Sequence, residues 1–151
     1  MLLRELLDRP YPVALDDPDA ADAAYRAVWI WRFTTDQGDQ GEVTITRSLM
    51  HSRTSVKYSI NGSRDRPNRD QLRPNSMRIF SSVLAALRHY WSLNPANQTQ
   101  TLEFVGSHSD PKRLAFYDRM AQQLGRWIPY RLVSTQDHPD DYKKYVLARI
   151  R

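Results

Sequence analysis

The segment from Arg73 to Gly125 changes its hydrophobic spacing twice, and this restricts the folds open to the chain more than any other feature. Its first part has apolar residues at the i, i+3, i+4, i+7 spacing of one helix face. The stretch from Thr101 to Val105 alternates instead, which predicts a strand with one apolar face. Helical spacing returns after Pro111, and proline suits the first position of a helix. The segment is therefore predicted to fold as helix, strand, helix.

The boundaries of these elements are marked by residues with strong local preferences. Asn75 is a good N-cap for the first helix, and Asn94, which precedes a proline, is expected to end it. Gly125 lies where a left-handed C-cap is expected for the second helix. The predicted ranges are a helix at 75–94, a strand at 99–106 and a helix at 110–124.

The flanking regions predict strands on both sides of this unit. Alternation over 25–60 predicts three antiparallel strands, and Trp29 and Trp31 fall on one face, where core packing explains them. A short helix is predicted at 1–9 and two further strands within 128–150. Strands in series followed by strand–helix alternation indicate an α+β domain with helices packed on a mixed sheet.

Length and composition exclude several classes of protein. A chain of 151 residues is typical of one domain, so we expect a single domain over 1–151. The absence of cysteine excludes disulfides, thiolate nucleophiles and cysteine-ligated metals. No apolar run approaches the roughly 20 residues of a membrane span, and charges interrupt MLLRELLDRP where a signal peptide needs a continuous apolar run. We therefore expect a cytoplasmic protein.

The predicted order of elements, with a short helix at the front, resembles the GNAT superfamily of N-acyltransferases. It is most similar to small GNAT-like phage proteins of unassigned role. Three segments carry the resemblance, and together they cover under half of the sequence: MLLRELLDRPYP, NSMRIFSSVLAALRHYW and LEFVGSHSDPKRLAFYDRMAQQLG. The resemblance implies a mixed, mainly antiparallel sheet with helices packed on its faces, acetyl-CoA as the cofactor, and an amine of a protein or small molecule as the acceptor.

In that superfamily, glycine amides before the first long helix hold the pyrophosphate of acetyl-CoA. A helix N-terminus offers unpaired N–H groups and partial positive charge, so phosphate oxygens bind there. The corresponding loop, 69–77, contains no glycine, and Pro74 removes one amide donor. The resemblance therefore implies a phosphate site that relies on side chains, which would be Arg69, Arg73, Asn75, Ser76 and Arg78.

The resemblance also suggests residues for proton transfer. Tyr117 matches the tyrosine that returns a proton to the departing thiolate, although its place on an apolar helix stripe is more typical of a core residue. Glu103 and His108 are the nearest candidates for a general base. Their ordinary interpretations are a solvent-facing strand residue and a loop residue. The four histidines lack ligand spacing, so no metal site is expected.

The basic run from Arg64 to Arg78 has three interpretations: a solvated loop, a phosphate site for CoA, or a nucleic-acid contact. The net charge of +5 is compatible with each of them. Two hypotheses about function follow. The chain is an acyl-CoA-dependent N-acetyltransferase, or it is a catalytically inactive GNAT-like phage protein that binds a host or virion protein. Nucleic-acid binding through the basic run is the third.

Overall fold

The computed structural model describes residues 10–16, 26–60, 72–107, 111–138 and 142–150. Within these ranges, the side chains of residues 26, 72–77, 106–107, 111–114, 116–117 and 138 are not described. The predicted helix at 1–9 lies outside the described residues. In the described parts, seven strands form one sheet in the order β1-β2-β3-β4-β5-β7-β6. The strands are β1 (Ala14–Asp16), β2 (Arg26–Thr34), β3 (Gln40–Ser48), β4 (Arg53–Ile60), β5 (Thr101–Ser107), β6 (Tyr130–His138) and β7 (Tyr142–Arg149).

All neighbouring strands pair antiparallel except β4 and β5, which are parallel. The connection between these two contains helix α1 (Leu72–Leu93), and helix α2 (Pro111–Gln123) follows β5. This arrangement confirms the predicted α+β class with a mixed, mainly antiparallel sheet. The short edge strand β1 was not predicted, because its proline- and aspartate-rich surroundings indicate an extended connection.

Both described helices pack on the same face of the sheet. The ring of Tyr90 in α1 lies edge-on to Trp29, with centroids 5.1 Å apart, and Phe80 approaches Phe104 with centroids 6.4 Å apart. Asp118 of α2 accepts a hydrogen bond from Tyr145. Since Phe104 and Tyr145 are cross-strand partners, the two helices lie on one side.

The predicted alternation of β2 is confirmed on this helix-covered face. Its inward residues are buried: Ala27, Trp29, Trp31 and Phe33. The opposite face, which we call the second face, has short hydroxyl-bearing and charged side chains. It includes Thr44, Thr46, Ser48, Arg53, Ser55, Lys57, Thr101, Glu103 and Lys144.

A buried polar network closes the core near the C-terminal end of α1. Arg47 donates to the side-chain oxygen of Asn97, and its guanidinium lies 5.1 Å from the centroid of the Trp29 ring. Asn97 in turn donates to the carbonyl of Tyr90 over 2.6 Å. The Tyr90 hydroxyl is 2.9 Å from the hydroxyl of Thr54. Because buried polar groups are costly when unpaired, this network specifies how α1 is seated on the sheet.

Two helix ends differ from the sequence prediction. The first helix begins at Leu72 rather than at Asn75, so the predicted N-cap is wrong. Pro74 is tolerated there because the N–H groups of a first turn have no intrahelical acceptor. Gly125 does not adopt the left-handed conformation expected of a C-cap, because among the described glycines only Gly38 has a positive φ. The second helix instead tightens into a 3₁₀ turn, Leu124–Arg126. A Cβ on Gly125 would lie 3.3 Å from the carbonyl oxygen of Tyr130.

Candidate functional site

The two parallel strands separate before they end. β4 and β5 pair from Arg53–Thr101 to Val56–Phe104, and in the described residues no pairing between them follows. β4 nevertheless continues to Ile60 and β5 to Ser107, and their outer sides stay paired with β3 and β7. We call the resulting gap the notch; it lies between residues 57–60 of β4 and residues 105–107 of β5. Inside the sheet, the notch exposes two facing strand edges.

An apolar cavity lies at the closed end of the notch. Its volume is about 20 Å³, which is close to the size needed for one water molecule. Side chains from both strands, both helices and β7 line it: Val56, Tyr58, Phe80, Val83, Phe104, Val105, Ala121, Leu124 and Tyr145. The cavity therefore has room for a group of about methyl size unless these side chains move.

Helix α1 begins in the connection that follows β4, and its first turn contains no acidic residue. Arg73, Asn75 and Ser76 belong to the first turns of this helix, whereas the predicted range of 75–94 left Arg73 in the preceding loop. Their side chains are outside the described part of the chain, as is the whole of Arg69. The helix N-terminus carries partial positive charge, which favours an anion near it.

Arg78 is the predicted phosphate ligand whose side chain is described. Its Nη1 atom lies 2.8 Å from Oδ2 of Asp36 in the β2–β3 hairpin. Its guanidinium also lies 4.0 Å from the centroid of the Tyr11 ring. Arg78 therefore connects the start of α1 to the hairpin and to the N-terminal segment. An anion at the helix start would have to share this cation with Asp36.

Tyr117 lies in the second turn of α2, one helical turn before the cavity-lining residue Ala121. Its side chain is outside the described part of the chain. The neighbouring residue Asp118 accepts two hydrogen bonds at Oδ1, from the Tyr145 hydroxyl over 2.7 Å and from Lys143 Nζ over 2.9 Å. This pair of contacts joins α2 to β7 beside the cavity. Sequence reasoning missed it, because the register of β7 depends on tertiary pairing.

The contact between Asp118 and Tyr145 shifts the pKa of both groups. Desolvation by itself would raise the pKa of Asp118, but the hydrogen bonds from Tyr145 and Lys143 outweigh it, and the pKa falls below its usual value. Burial raises the pKa of Tyr145, and the hydrogen bond and negative charge of Asp118 raise it further. At neutral pH the Tyr145 hydroxyl is therefore a hydrogen-bond donor beside the cavity.

Replacement of Asp118 by asparagine is expected to lower the free energy of unfolding at pH 7 by about 1 kcal/mol or less. The effect is small because the Asp118 side chain is 41% exposed, so solvent screens its charge. The depressed pKa contributes stability that is present above the unfolded-state pKa and is lost as pH falls through the folded-state pKa. Urea unfolding should therefore show the two proteins converging below about pH 4. An unchanged difference at pH 3 would contradict the role of the charge, and Tyr145→Phe tests the hydroxyl separately.

Glu103 lies on the second face and is not among the residues that line the cavity. The expectation that it faces solvent is wrong, since it is only 7% exposed. Ser55 Oγ donates to its Oε2 atom over 3.2 Å, and Arg53 and Lys144 each approach to 3.8 Å. His108 lies outside the described residues. The structure thus brings Glu103 near Arg53 and Lys144 rather than near the other predicted site residues.

In the described ranges, no cluster of three or more histidine, aspartate or glutamate side chains is arranged to hold a metal ion. None of the described helices has the length and hydropathy of a membrane-crossing segment.

No family model matches this sequence, and no curated protein matches it at a significant level. Solved structures with a similar arrangement include acetyltransferases. Mutant forms of the spermidine/spermine N-acetyltransferase SpeG from Vibrio cholerae share 9% identity with a TM-score of 0.48, over 80% of this chain and 66% of theirs. Nourseothricin acetyltransferase shares 14% identity with a TM-score of 0.47, over 90% of this chain and 68% of its own.

A probable GNAT-family acetyltransferase from Chromobacterium violaceum shares 12% identity with a TM-score of 0.39, over 85% of this chain and 60% of its own. This chain therefore spans less than two thirds of both proteins, 66% of the SpeG structure and 60% of the Chromobacterium protein. The named activities are those of the other proteins, and the structural similarity does not assign an activity to this chain.

Proposed function

We propose that this chain is a GNAT-like N-acetyltransferase that transfers an acetyl group from acetyl-CoA to an amine. The observation that carries the proposal is the notch. The parallel pair ends at Val56–Phe104, although both strands continue. Strand edges that face a gap present backbone N–H and C=O groups, and an extended molecule with amides can pair with such groups as an added strand does. The pantetheine arm of CoA is an extended chain with two amides.

The position of α1 supports a phosphate site at the mouth of the notch. Its N-terminus follows the β4 side of the gap, and its first turn lacks acidic residues. Arg69, Arg73, Asn75 and Ser76 would hold the diphosphate by charge and hydrogen bonds together with the helix dipole. Arg78 would contribute less, because Asp36 already binds its guanidinium.

The size of the cavity favours a small acyl group. About 20 Å³ at the closed end of the notch suits a methyl group but not a longer chain. When bound, acetyl-CoA supplies an activated thioester. Tyr117 would donate the proton that the departing thiolate takes up, and His108 would accept the proton of the amine. Glu103 is not assigned this role, because Ser55, Arg53 and Lys144 engage it on the second face. Tyr145 stays protonated, and its hydroxyl donates to Asp118 beside the cavity.

Addition of acetyl-CoA at 100 times its dissociation constant is expected to stabilise the protein by about 2.7 kcal/mol. For a domain of this size, this corresponds to a rise in Tm of roughly 5–10 °C. Scanning fluorimetry measures the rise. Acetylated pantetheine, which lacks the diphosphate, should still produce part of the rise in Tm if the notch binds the pantetheine arm. ADP, which keeps the diphosphate and lacks the arm, tests the helix start by itself.

A matched pair of variants locates the binding. Ala121→Leu fills the cavity, whereas Ala115→Leu makes the same change at an exposed position of the same helix. Ala121→Leu should weaken acetyl-CoA binding at least tenfold, measured against its own ligand-free Tm, because overpacking lowers that baseline as well. Ala115→Leu should leave binding unchanged. No rise in Tm at millimolar acetyl-CoA, or equal losses in both variants, would refute the proposal.

A second candidate is a catalytically inactive GNAT-like module, phage-encoded, that binds a host or virion protein. Two observations favour it: the small volume of the cavity and the engagement of Arg78 by Asp36. This candidate predicts no response to acetyl-CoA. A gel shift with DNA or RNA that weakens with salt would instead support binding through the run from Arg64 to Arg78.

A further inference from the structure

We propose that the second face of the sheet carries a binding site for a phosphate group, separate from the notch. The face contains a concavity of about 320 Å³, a volume within the range of about 300–1,000 Å³ that small-molecule sites occupy. All of its lining side chains are polar, and none is a carboxylate: Thr46, Ser48, Arg53, Ser55 and Lys57. This inference does not depend on acetyltransferase activity.

The shape of the concavity follows from the lengths of its side chains. Alternate residues of a strand share a face, so Arg53, Ser55 and Lys57 project together from β4. On β3, the cross-strand partners of Arg53 and Ser55 are Ser48 and Thr46, which are also short. Two long cationic side chains therefore flank a floor of hydroxyl groups. Arginine, lysine and hydroxyl groups are all hydrogen-bond donors to phosphate oxygens.

Glu103 positions the arginine. The carboxylate is buried, and Arg53 Nη1 lies 3.8 Å from its Oε1 atom, which is an attraction without a hydrogen bond. The Arg53 side chain is 43% exposed, so its guanidinium can donate to a ligand in the concavity. Ser55 donates to Glu103 rather than to the ligand. Thr46, Ser48, Arg53 and Lys57 therefore supply the donors.

The local charge favours an anion. Arg53 and Lys144 each lie 3.8 Å from one carboxylate, Glu103, and Lys57 adds a third cation at the concavity. The other described carboxylates near this face, Asp16 and Glu42, are held by Arg32 at 3.1 and 2.8 Å. Hydrogen-bond donors project into the concavity from both β3 and β4, and a phosphate group offers three strong acceptor oxygens to them, whereas a carboxylate offers two. We therefore assign the site to phosphate, either free or as part of a small phosphomonoester.

Titration of ¹⁵N-labelled protein with inorganic phosphate, and separately with glycerol 3-phosphate, tests the site. Binding should perturb the amides of Thr46, Ser48, Ser55 and Lys57, whereas glycerol should perturb none of them. Arg53→Gln and Lys57→Gln should each raise the dissociation constant at least fivefold. If Arg53→Gln does not fold, Lys57→Gln decides alone. Tighter binding of the ester indicates an organic ligand, and equal binding indicates phosphate itself; both support the site.

The control is Arg131→Gln, which removes the same charge from an exposed position of β6. It should change the dissociation constant less than twofold. An equal loss in this variant would mean diffuse charge attraction and would overturn the proposal, as would the absence of perturbation at millimolar phosphate. Perturbations confined to residues 72–78 would also overturn it, because phosphate would then bind at the start of α1. Ala121→Leu should leave phosphate binding unchanged, so this site and the notch can fail independently.

Discussion

Replacement of Trp31 by alanine is expected to lower the free energy of unfolding by about 3–5 kcal/mol. Trp31 lies in β2, is 0% exposed, and donates from its indole nitrogen to Nδ1 of His89 in α1 over 2.9 Å. Its removal leaves a cavity between sheet and helix and deprives His89 of this donor. Domains have about 5–15 kcal/mol of stability in total, so the loss is a large share of it.

Urea unfolding followed by circular dichroism measures the change. Val28→Ala is the control, since Val28 lies on the same strand but on the second face, and is 41% exposed. We expect its effect to be several-fold smaller than that of Trp31→Ala. Trp31→Phe should fall between them, because it keeps most of the apolar volume and loses the hydrogen bond. Similar losses for Val28 and Trp31 would contradict the placement of Trp31 in the core.

A rise in pH from 9 to 12 is expected to destabilise the fold strongly through three buried tyrosines. Burial raises the pKa of Tyr90 to about 12, and it raises the pKa of Tyr130 and Tyr145 as well. The unfolded chain ionises near pH 10. The stability is therefore fully present below about pH 10 and is lost as pH rises through the folded-state pKa values. Tyr90 by itself contributes about 2–3 kcal/mol to this loss.

Urea unfolding at several pH values between 9 and 12 measures the slope. Each tyrosine adds up to about 1.4 kcal/mol per pH unit while it is ionised in the unfolded state but not in the folded state. Tyr90→Phe should reduce the slope above pH 10 and leave the protein's response below pH 9 unchanged. An identical slope in the variant would show that Tyr90 ionises as readily in the fold as in the unfolded chain.

Much of the fold follows from short-range patterns in the sequence. Alternation in β2 identified Trp29 and Trp31 as core residues, and helical spacing identified both described helices. The errors occur at helix ends, where a single favourable residue such as Asn75 competes with the rest of the first turn. Gly125 was expected to adopt positive φ, but close packing against the carbonyl of Tyr130 is what the structure shows there.

The site was less predictable than the fold. Alternation placed Glu103 on the face opposite Phe104, yet it did not reveal that β4 and β7 flank β5 and surround the carboxylate. The contact of Asp118 with Tyr145 was missed for the same reason. It joins residues 27 positions apart in sequence. Tyr117 and the residues at the start of α1 remain predictions.

The sequence by itself determined the type of most elements and the faces that they bury, because these depend on the periods of helix and strand within one segment. Only the tertiary structure decided that β4 and β5 separate after Val56–Phe104, and that Arg53 and Lys57 line a concavity on the second face. Strand partners and registers depend on contacts between distant segments, and a local period carries no information about them.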